Sequence, residues 1–344
     1  MEYRILGRTG VKIGCYSLGT ANFGPWGNED EQECVRIVHE AIDAGVNLID
    51  SADVYGGGRS EEIVGKALTG RRDQVILATK FHNPMGSGIN DRGNSRLWVM
   101  RAVEGSLRRL RTDYIDLYQA HRPDPLADVD ETLSALTDLV RQGKVRYLGS
   151  TTFPAVLLLE SLWTSQRRSL ERFESEQPPY SIFVRHAELD VLPLARRHGL
   201  GILAWSPLAG GWLTGKYRRG EEMPAESRGR RALMPFMVPR FDLSLPGNQQ
   251  KLELVERLAD LAGKAGLALS HMALAFALEH PAVTSVIIGP RTVEQLRDLL
   301  PGAEVRLDRD ILDAIDEVVA PGTTLNPADR GWEPPWMTRE ARRR

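Results

Sequence analysis

An acid, a phenol, an ammonium group and an imidazole occupy comparable places in this chain. Asp50 lies near the end of the apolar run 47–52, and Tyr55 follows five positions later. Lys80 closes the run 75–80 and His121 closes the run 115–121. A lysine at the end of Val75-Ile76-Leu77-Ala78 would be buried, and a buried ammonium needs a charge partner, for which Asp50 is suited. A free tyrosine, with a pKa of about 10, is a slow acid near neutrality. An adjacent ammonium stabilises the phenolate and lowers that value. The imidazole can hydrogen-bond a carbonyl oxygen and fix its orientation. Such a group suits proton donation to a developing alkoxide. No side chain supplies hydride, so carbonyl reduction here implies a nicotinamide cofactor. Taken singly, each residue has a plainer reading: Asp50 as a cap, Tyr55 and His121 as packed side chains, Lys80 as a solvated edge charge. Four strand ends together point to one site.

The elements that would position these residues alternate along the chain. Short β-branched or apolar runs at 16–20, 47–52, 75–80, 115–121, 145–151, 172–177, 201–207 and 284–289 read as strands. Several lack polar alternation, as expected where both faces are covered. Helical spacing follows at 30–45, from Ser60 (as N-cap), and at 95–111, 128–143, 154–170, 188–199, 249–266, 270–280 and 292–300, with an extra helix at 308–320. Eight strand–helix units in one chain favour a closed (β/α)8 TIM barrel over an open sheet, with all strand C-termini converging on one face. The whole of 1–344 reads as a single barrel domain. Residues 3–14 form an expected hairpin that would plug the barrel base, and a Pro- and Trp-rich C-terminal tail follows residue 321. The long connections 81–94 and 208–248 follow strand C-termini, and the second is expected to fold over a cofactor.

Composition narrows the function classes. Net charge is −2, so no basic field favours nucleic acid or anionic lipid. The longest apolar stretches, such as 272–278, fall far short of the ~20 residues that span a bilayer. Two cysteines, Cys15 and Cys34, and an N-terminus without export character suggest a reduced, cytoplasmic setting. The seven histidines show no metal spacing, so no metal site is expected. The 44 basic residues include only seven lysines, which makes each lysine worth locating. The cluster Arg228-Gly229-Arg230-Arg231 reads as a solvated loop, with contact to a cofactor phosphate as the alternative, and the closing arginines 342–344 as a disordered end.

Motifs running from end to end resemble the aldo-keto reductases. They include Leu18-Gly19-Thr20-Ala21-Asn22-Phe23-Gly24, Ile49-Asp50-Ser51-Ala52-Asp53-Val54-Tyr55-Gly56 and Ala78-Thr79-Lys80. Tyr118-Gln119-Ala120-His121-Arg122-Pro123-Asp124, Trp205-Ser206-Pro207-Leu208, Leu213-Thr214-Gly215-Lys216-Tyr217 and Ile288-Gly289-Pro290-Arg291-Thr292 continue the match. The chain looks most like the bacterial branch related to aryl-alcohol dehydrogenases and potassium-channel β subunits. The resemblance implies Tyr55 as general acid, Lys80 as its pKa modifier, Asp50 as the lysine's partner and His121 as the residue orienting the substrate. It implies NADP(H) lying across the barrel mouth, with a small carbonyl compound as substrate. The contacts carried over fall on Thr20, Thr151, Gln177, Trp205, Ser206, Leu208, Gly210, Lys216, Gly289, Arg291 and Gln295. Trp205 would lie under the nicotinamide and Arg291 would meet the 2′-phosphate, while residues 208–216 would meet the pyrophosphate. Where the family has Asn after the hydroxyl residue of the fifth strand, this chain has Thr152. Where many members have an adenine-contacting Asn, it has Leu299. Phe23, Trp26, residues 81–94, Trp332 and Trp336 would form the substrate pocket. The same resemblance carries a second implication, a cofactor-binding regulatory subunit with little turnover.

Overall fold

The computed structural model describes residues 1–225, 227–230, 237–337 and 339–342. Arg231 of the basic cluster and Arg343 and Arg344 of the closing run lie outside the described residues.

Two short strands, β1 (Tyr3–Ile5) and β2 (Lys12–Gly14), pair antiparallel as the expected hairpin. Eight parallel strands then close a barrel: β3 (Tyr16–Gly19), β4 (Leu48–Asp50), β5 (Ile76–Phe81), β6 (Ile115–Ala120), β7 (Val145–Thr151), β8 (Phe173–Gln177), β9 (Gly201–Ala204) and β10 (Val283–Ile288). Each pairs with its sequence neighbours, and β10 closes on β3. The connecting helices include α1 (Glu31–Asp43), α2 (Arg59–Ala67), α3 (Arg96–Leu110), α4 (Val129–Arg141), α5 (Ala155–Arg168) and α6 (Val191–His198). Paired helices α7 (Pro246–Lys264) and α8 (Leu269–Glu279) follow β9, then α9 (Val293–Leu299) and the extra helix α10 (Arg309–Val318).

Alternation along each strand explains what lies inside the barrel. Leu48, Ala78, Leu117, Leu203 and Ile287 form the inner cluster, and the hairpin contributes Leu6 and Ile13 to it. The hairpin therefore plugs the base. Its approach is tight: a Cβ on Gly201 would meet the Gly7 nitrogen at 2.8 Å, so only glycine fits there. Two residues beyond Leu48 and Ala78, the same inward face carries Asp50 and Lys80. The larger outer core packs Ile49, Leu77, Phe81 and Tyr118 against the helices.

Capping accounts for several helix starts and one correction. Asp30, Ser95, Asp128 and Asp308 accept from first-turn amides, as N-caps do. Ser60 does not cap α2. Gly58, in the left-handed region, precedes that helix, and the Ser60 hydroxyl donates instead to the Thr20 carbonyl at 2.8 Å. Among the described residues, no single helix is long and apolar enough to cross a membrane.

Candidate active site

Three strands and one turn assemble the polar centre. β4 delivers Asp50, β5 delivers Lys80, and His121 stands one residue past β6. Tyr55 opens a short 3-10 turn, Tyr55–Gly58, whose glycines Gly56 and Gly57 adopt positive φ. Lys80 is fully buried, and its Nζ donates to Asp50 Oδ2 at 2.6 Å, the Ser51 carbonyl at 2.7 Å and Tyr55 Oη at 3.4 Å. Burial opposes the ammonium, but the Asp50 carboxylate and the hydrogen bonds to Asp50 and Tyr55 outweigh it and raise the Lys80 pKa. Asp50 is also held from its other side. Its Oδ1 accepts from Gln119 Nε2 at 3.1 Å and Gln177 Nε2 at 3.0 Å.

His121 packs edge-on to Tyr55, with ring centroids 5.8 Å apart. Burial, reinforced by the Arg122 and Lys80 charges, holds its pKa well below the ordinary imidazole value. The ring is neutral at neutral pH. Asn83 Nδ2 donates to His121 Nδ1 at 3.0 Å, so the proton resides on Nε2. Nε2 is then a hydrogen-bond donor, the character needed to hold a carbonyl oxygen. Trp26 stands edge-on to Tyr55 at 6.0 Å and completes an aromatic wall.

These residues open onto a cavity of about 1270 Å³. Asp50, Tyr55 and His121 line one part, and Lys80 lies beneath them. Thr151, Gln177, Trp205, Ser206, Leu208, Gly210, Lys216, Gly289, Arg291 and Gln295 line the same cavity. Thr20 does not. Its hydroxyl donates to the Asp50 carbonyl at 3.2 Å and accepts from Ser60 Oγ at 2.8 Å, bracing the strand ends below the wall. Phe23 is likewise absent from the wall, being fully buried in the core, whereas Trp26, Asn83 and Trp332 line it and Trp336 packs on Trp332.

The cavity can hold an extended dinucleotide. Lys216, Arg228 and Arg291 crowd one region, where burial and then the neighbouring Arg291 and Arg228 charges lower the Lys216 pKa to about 8. Such a cluster calls for anions such as phosphates. Arg228 is thus not a solvated loop residue. It lines the cavity and donates to Asn22 Oδ1 at 2.7 Å. A flat aromatic face is also held in place on the cavity wall. Trp205 Nε1 is buried with no partner among the described residues. Its ring is backed by Gly331 at φ +82, where a Cβ would meet the ring at 2.7 Å. That tail segment is pinned from beneath: Asp329 pairs with Arg240 at 2.7 Å and with Lys251 at 2.5 Å.

Three side chains of the site carry no assigned role in the sequence reading. Gln119 follows Leu117 by two on an inward face, so period-two alternation marks it. Arg122 stands beside His121 in the motif. Arg228 has only the basic cluster as a local signal, and the folded loop is what brings it to the cavity. Among the described residues, no group of three or more His, Cys, Asp or Glu is placed to hold a metal.

Comparison with known proteins completes the picture. Residues 16–320 match the family model described as "Aldo/keto reductase family". The "Uncharacterized oxidoreductase YrpG" of Bacillus subtilis is 40% identical over 92% of this chain and 96% of its own length. The "Aldo-keto reductase YhdN" of the same organism is 38% identical over 87% of this chain and 88% of its own. A "Probable voltage-gated potassium channel subunit beta" of Oryza sativa is 36% identical over 93% of this chain and 97% of its own. By family match and by kinship, this chain belongs to the aldo/keto reductase family.

Proposed function

We propose that the protein is an NADPH-dependent reductase of aldehydes or ketones in which Tyr55 donates the proton. The observation that carries this reading is the Lys80 ammonium, fixed by Asp50 and 3.4 Å from the Tyr55 hydroxyl. Bound in the cavity, NADPH supplies hydride to the carbonyl carbon. Trp205 would support the nicotinamide, Thr151 and Gln177 its carboxamide, and Arg291, Lys216 and Arg228 the phosphates. His121 Nε2–H and Tyr55 Oη–H would both donate to the substrate oxygen and orient it. As negative charge grows on that oxygen, the proton leaves Tyr55 Oη for it, forming the alcohol. Lys80 stabilises the charge left on the phenol oxygen, and Asp50 with Gln119 and Gln177 keeps Lys80 in place. Both cysteines are free and buried, which suits a reducing compartment, the cytoplasm.

The test is NADPH oxidation with a carbonyl panel, followed by Tyr55→Phe under conditions where hydride transfer limits the rate. General acid catalysis contributes about 10²–10⁴-fold, so kcat should fall by that range while NADPH affinity holds. A variant retaining more than about a tenth of wild-type kcat removes Tyr55 from the role. The channel-subunit relative supports a second reading, a regulatory protein that binds NADP(H). Tight NADPH binding without turnover of any panel member favours it.

A further inference from the structure

The next inference rests on the reductase reading and names its substrate class. Arg122 shares the cavity wall with Tyr55, His121 and Asn83. Its Nη1 donates to three neutral acceptors: the His121 carbonyl at 2.5 Å, Thr151 Oγ1 at 3.1 Å and Thr152 Oγ1 at 3.2 Å. Among the described residues, its Nε and Nη2 donate to none, and the guanidinium forms no ion pair. Other buried or half-buried arginines are treated differently. Arg185 pairs with Glu188 and Asp316, Arg240 with Asp329, and Arg72 with Asp116. Glu176 feels the Arg122 charge, yet it accepts from Ser150 Oγ at 2.5 Å and the Phe153 amide at 3.1 Å instead.

A guanidinium half-buried in a cavity wall, with one edge unpaired and open to the cavity, is a ready seat for an anion from solution. The cofactor phosphates do not answer the need, because Lys216, Arg228 and Arg291 form their own cluster. Arg122 instead stands at the reacting end, donating to the His121 carbonyl and lining the cavity beside Tyr55. The uncommitted Nε and Nη2 make up one edge of the guanidinium. Two parallel N–H groups on such an edge match the two oxygens of a carboxylate.

We propose that Arg122 anchors a carboxylate on the substrate, so that the preferred substrates are carbonyl compounds that also carry a carboxylate. The carbonyl oxygen goes to Tyr55 and His121, and the carboxylate goes to the neighbouring Arg122. Trp26 and Trp332 on the same wall face the apolar part between them.

Matched acid and ester substrates test this directly. Wild-type protein is assayed with 4-carboxybenzaldehyde against methyl 4-formylbenzoate, and with 4-oxobutanoate against its methyl ester. Charge-assisted hydrogen bonds predict that each acid exceeds its ester in kcat/KM by about 10- to 100-fold, mostly through KM. Arg122→Gln should collapse the acid-to-ester ratio to about one, and Arg122→Lys, which keeps the charge but loses the fork, should fall between. A merely structural Arg122 would change both members of a pair alike and leave the ratio unmoved. If the glutamine variant does not fold, calorimetry on wild-type protein decides. Benzoate should then bind about tenfold or more tightly than benzamide. A wild-type ratio near one, a ratio unaffected by Arg122→Gln, or equal binding of benzoate and benzamide overturns the proposal while leaving the reductase reading intact. Reduction of no acid and no ester overturns both.

Discussion

Replacing Lys80 by methionine separates what the ammonium does for the fold from what it does for the reaction. In the native protein Lys80 Nζ donates to Asp50 Oδ2, the Ser51 carbonyl and Tyr55 Oη. Lys80→Met keeps most of the side-chain volume and removes all three bonds. Asp50, only 2% exposed, is then left charged with just the Gln119 and Gln177 amides. Breaking a buried pair from one side costs about 3–5 kcal/mol. Unfolding entropy of about 2.1 cal/mol/K per residue gives roughly 0.7 kcal/mol/K for this chain, so the Tm should drop by about 4–7 °C. Adding Asp50→Asn removes the orphaned charge and should return most of that loss, because neutral partners no longer need the ammonium. Activity should not return, since nothing then stabilises the charge left on Tyr55. Thermal denaturation and NADPH oxidation on the single and double variants provide the readouts. A double variant less stable than Lys80→Met, or one that regains turnover, would refute the reasoning.

Two further outcomes follow from strained or orphaned groups. Thr152 is β-branched yet sits at φ +61, which asparagine tolerates far better, so Thr152→Asn should add about 1 kcal/mol of stability. Its amide, offering both donor and acceptor, should also tighten NADPH binding; a lower Tm with unchanged Kd would count against both claims. Asp53 is buried, with neither carboxylate oxygen partnered among the described residues, and burial, then the Glu61 charge, raises its pKa well above the usual carboxylate range. The folded protein thus holds a proton that the unfolded chain releases above about pH 4, so stability falls as pH rises from there through the folded value. Asp53→Asn removes that titration: urea midpoints should nearly coincide near pH 4, and the variant should gain progressively toward pH 8. A gap independent of pH refutes the assignment.

The barrel was legible because several strands lack polar alternation and most recur about 30 residues apart. Strand ends were less legible. The run 201–207 reads as one strand, yet β9 stops at Ala204, where Trp205 leaves the ladder to bridge Pro179 and Ser206 turns to φ +56. The stretch 188–199 breaks at Asp190, whose carboxylate accepts from the Val191 amide at 2.6 Å and starts α6 there. In the site, Asp50, Lys80 and His121 were readable because each sits at or beside a strand end with unusual chemistry, and Tyr55 because it follows Asp50 by five in the turn after that strand. Gln119 could have been found by counting back two from His121. Arg228 was marked only by its basic cluster, since its place depends on a long loop folding onto the cavity. Thr20 misled because a hydroxyl next to a strand end serves bracing as readily as binding.

The Asp50 carboxylate collects its hydrogen bonds from β5, β6 and β8, the farthest donor, Gln177, lying 127 positions along the chain. Each bond requires its strand to be seated in correct register. A chain with only β3–β6 assembled lacks Gln177 and leaves the Lys80–Asp50 pair open to water through the unclosed side, where its attraction is screened. The active centre is therefore a register gauge for the barrel. During refolding, helix content and collapse can advance while turnover stays near zero. Activity should return only with the last strand to close, in a single phase matching the slowest tertiary signal.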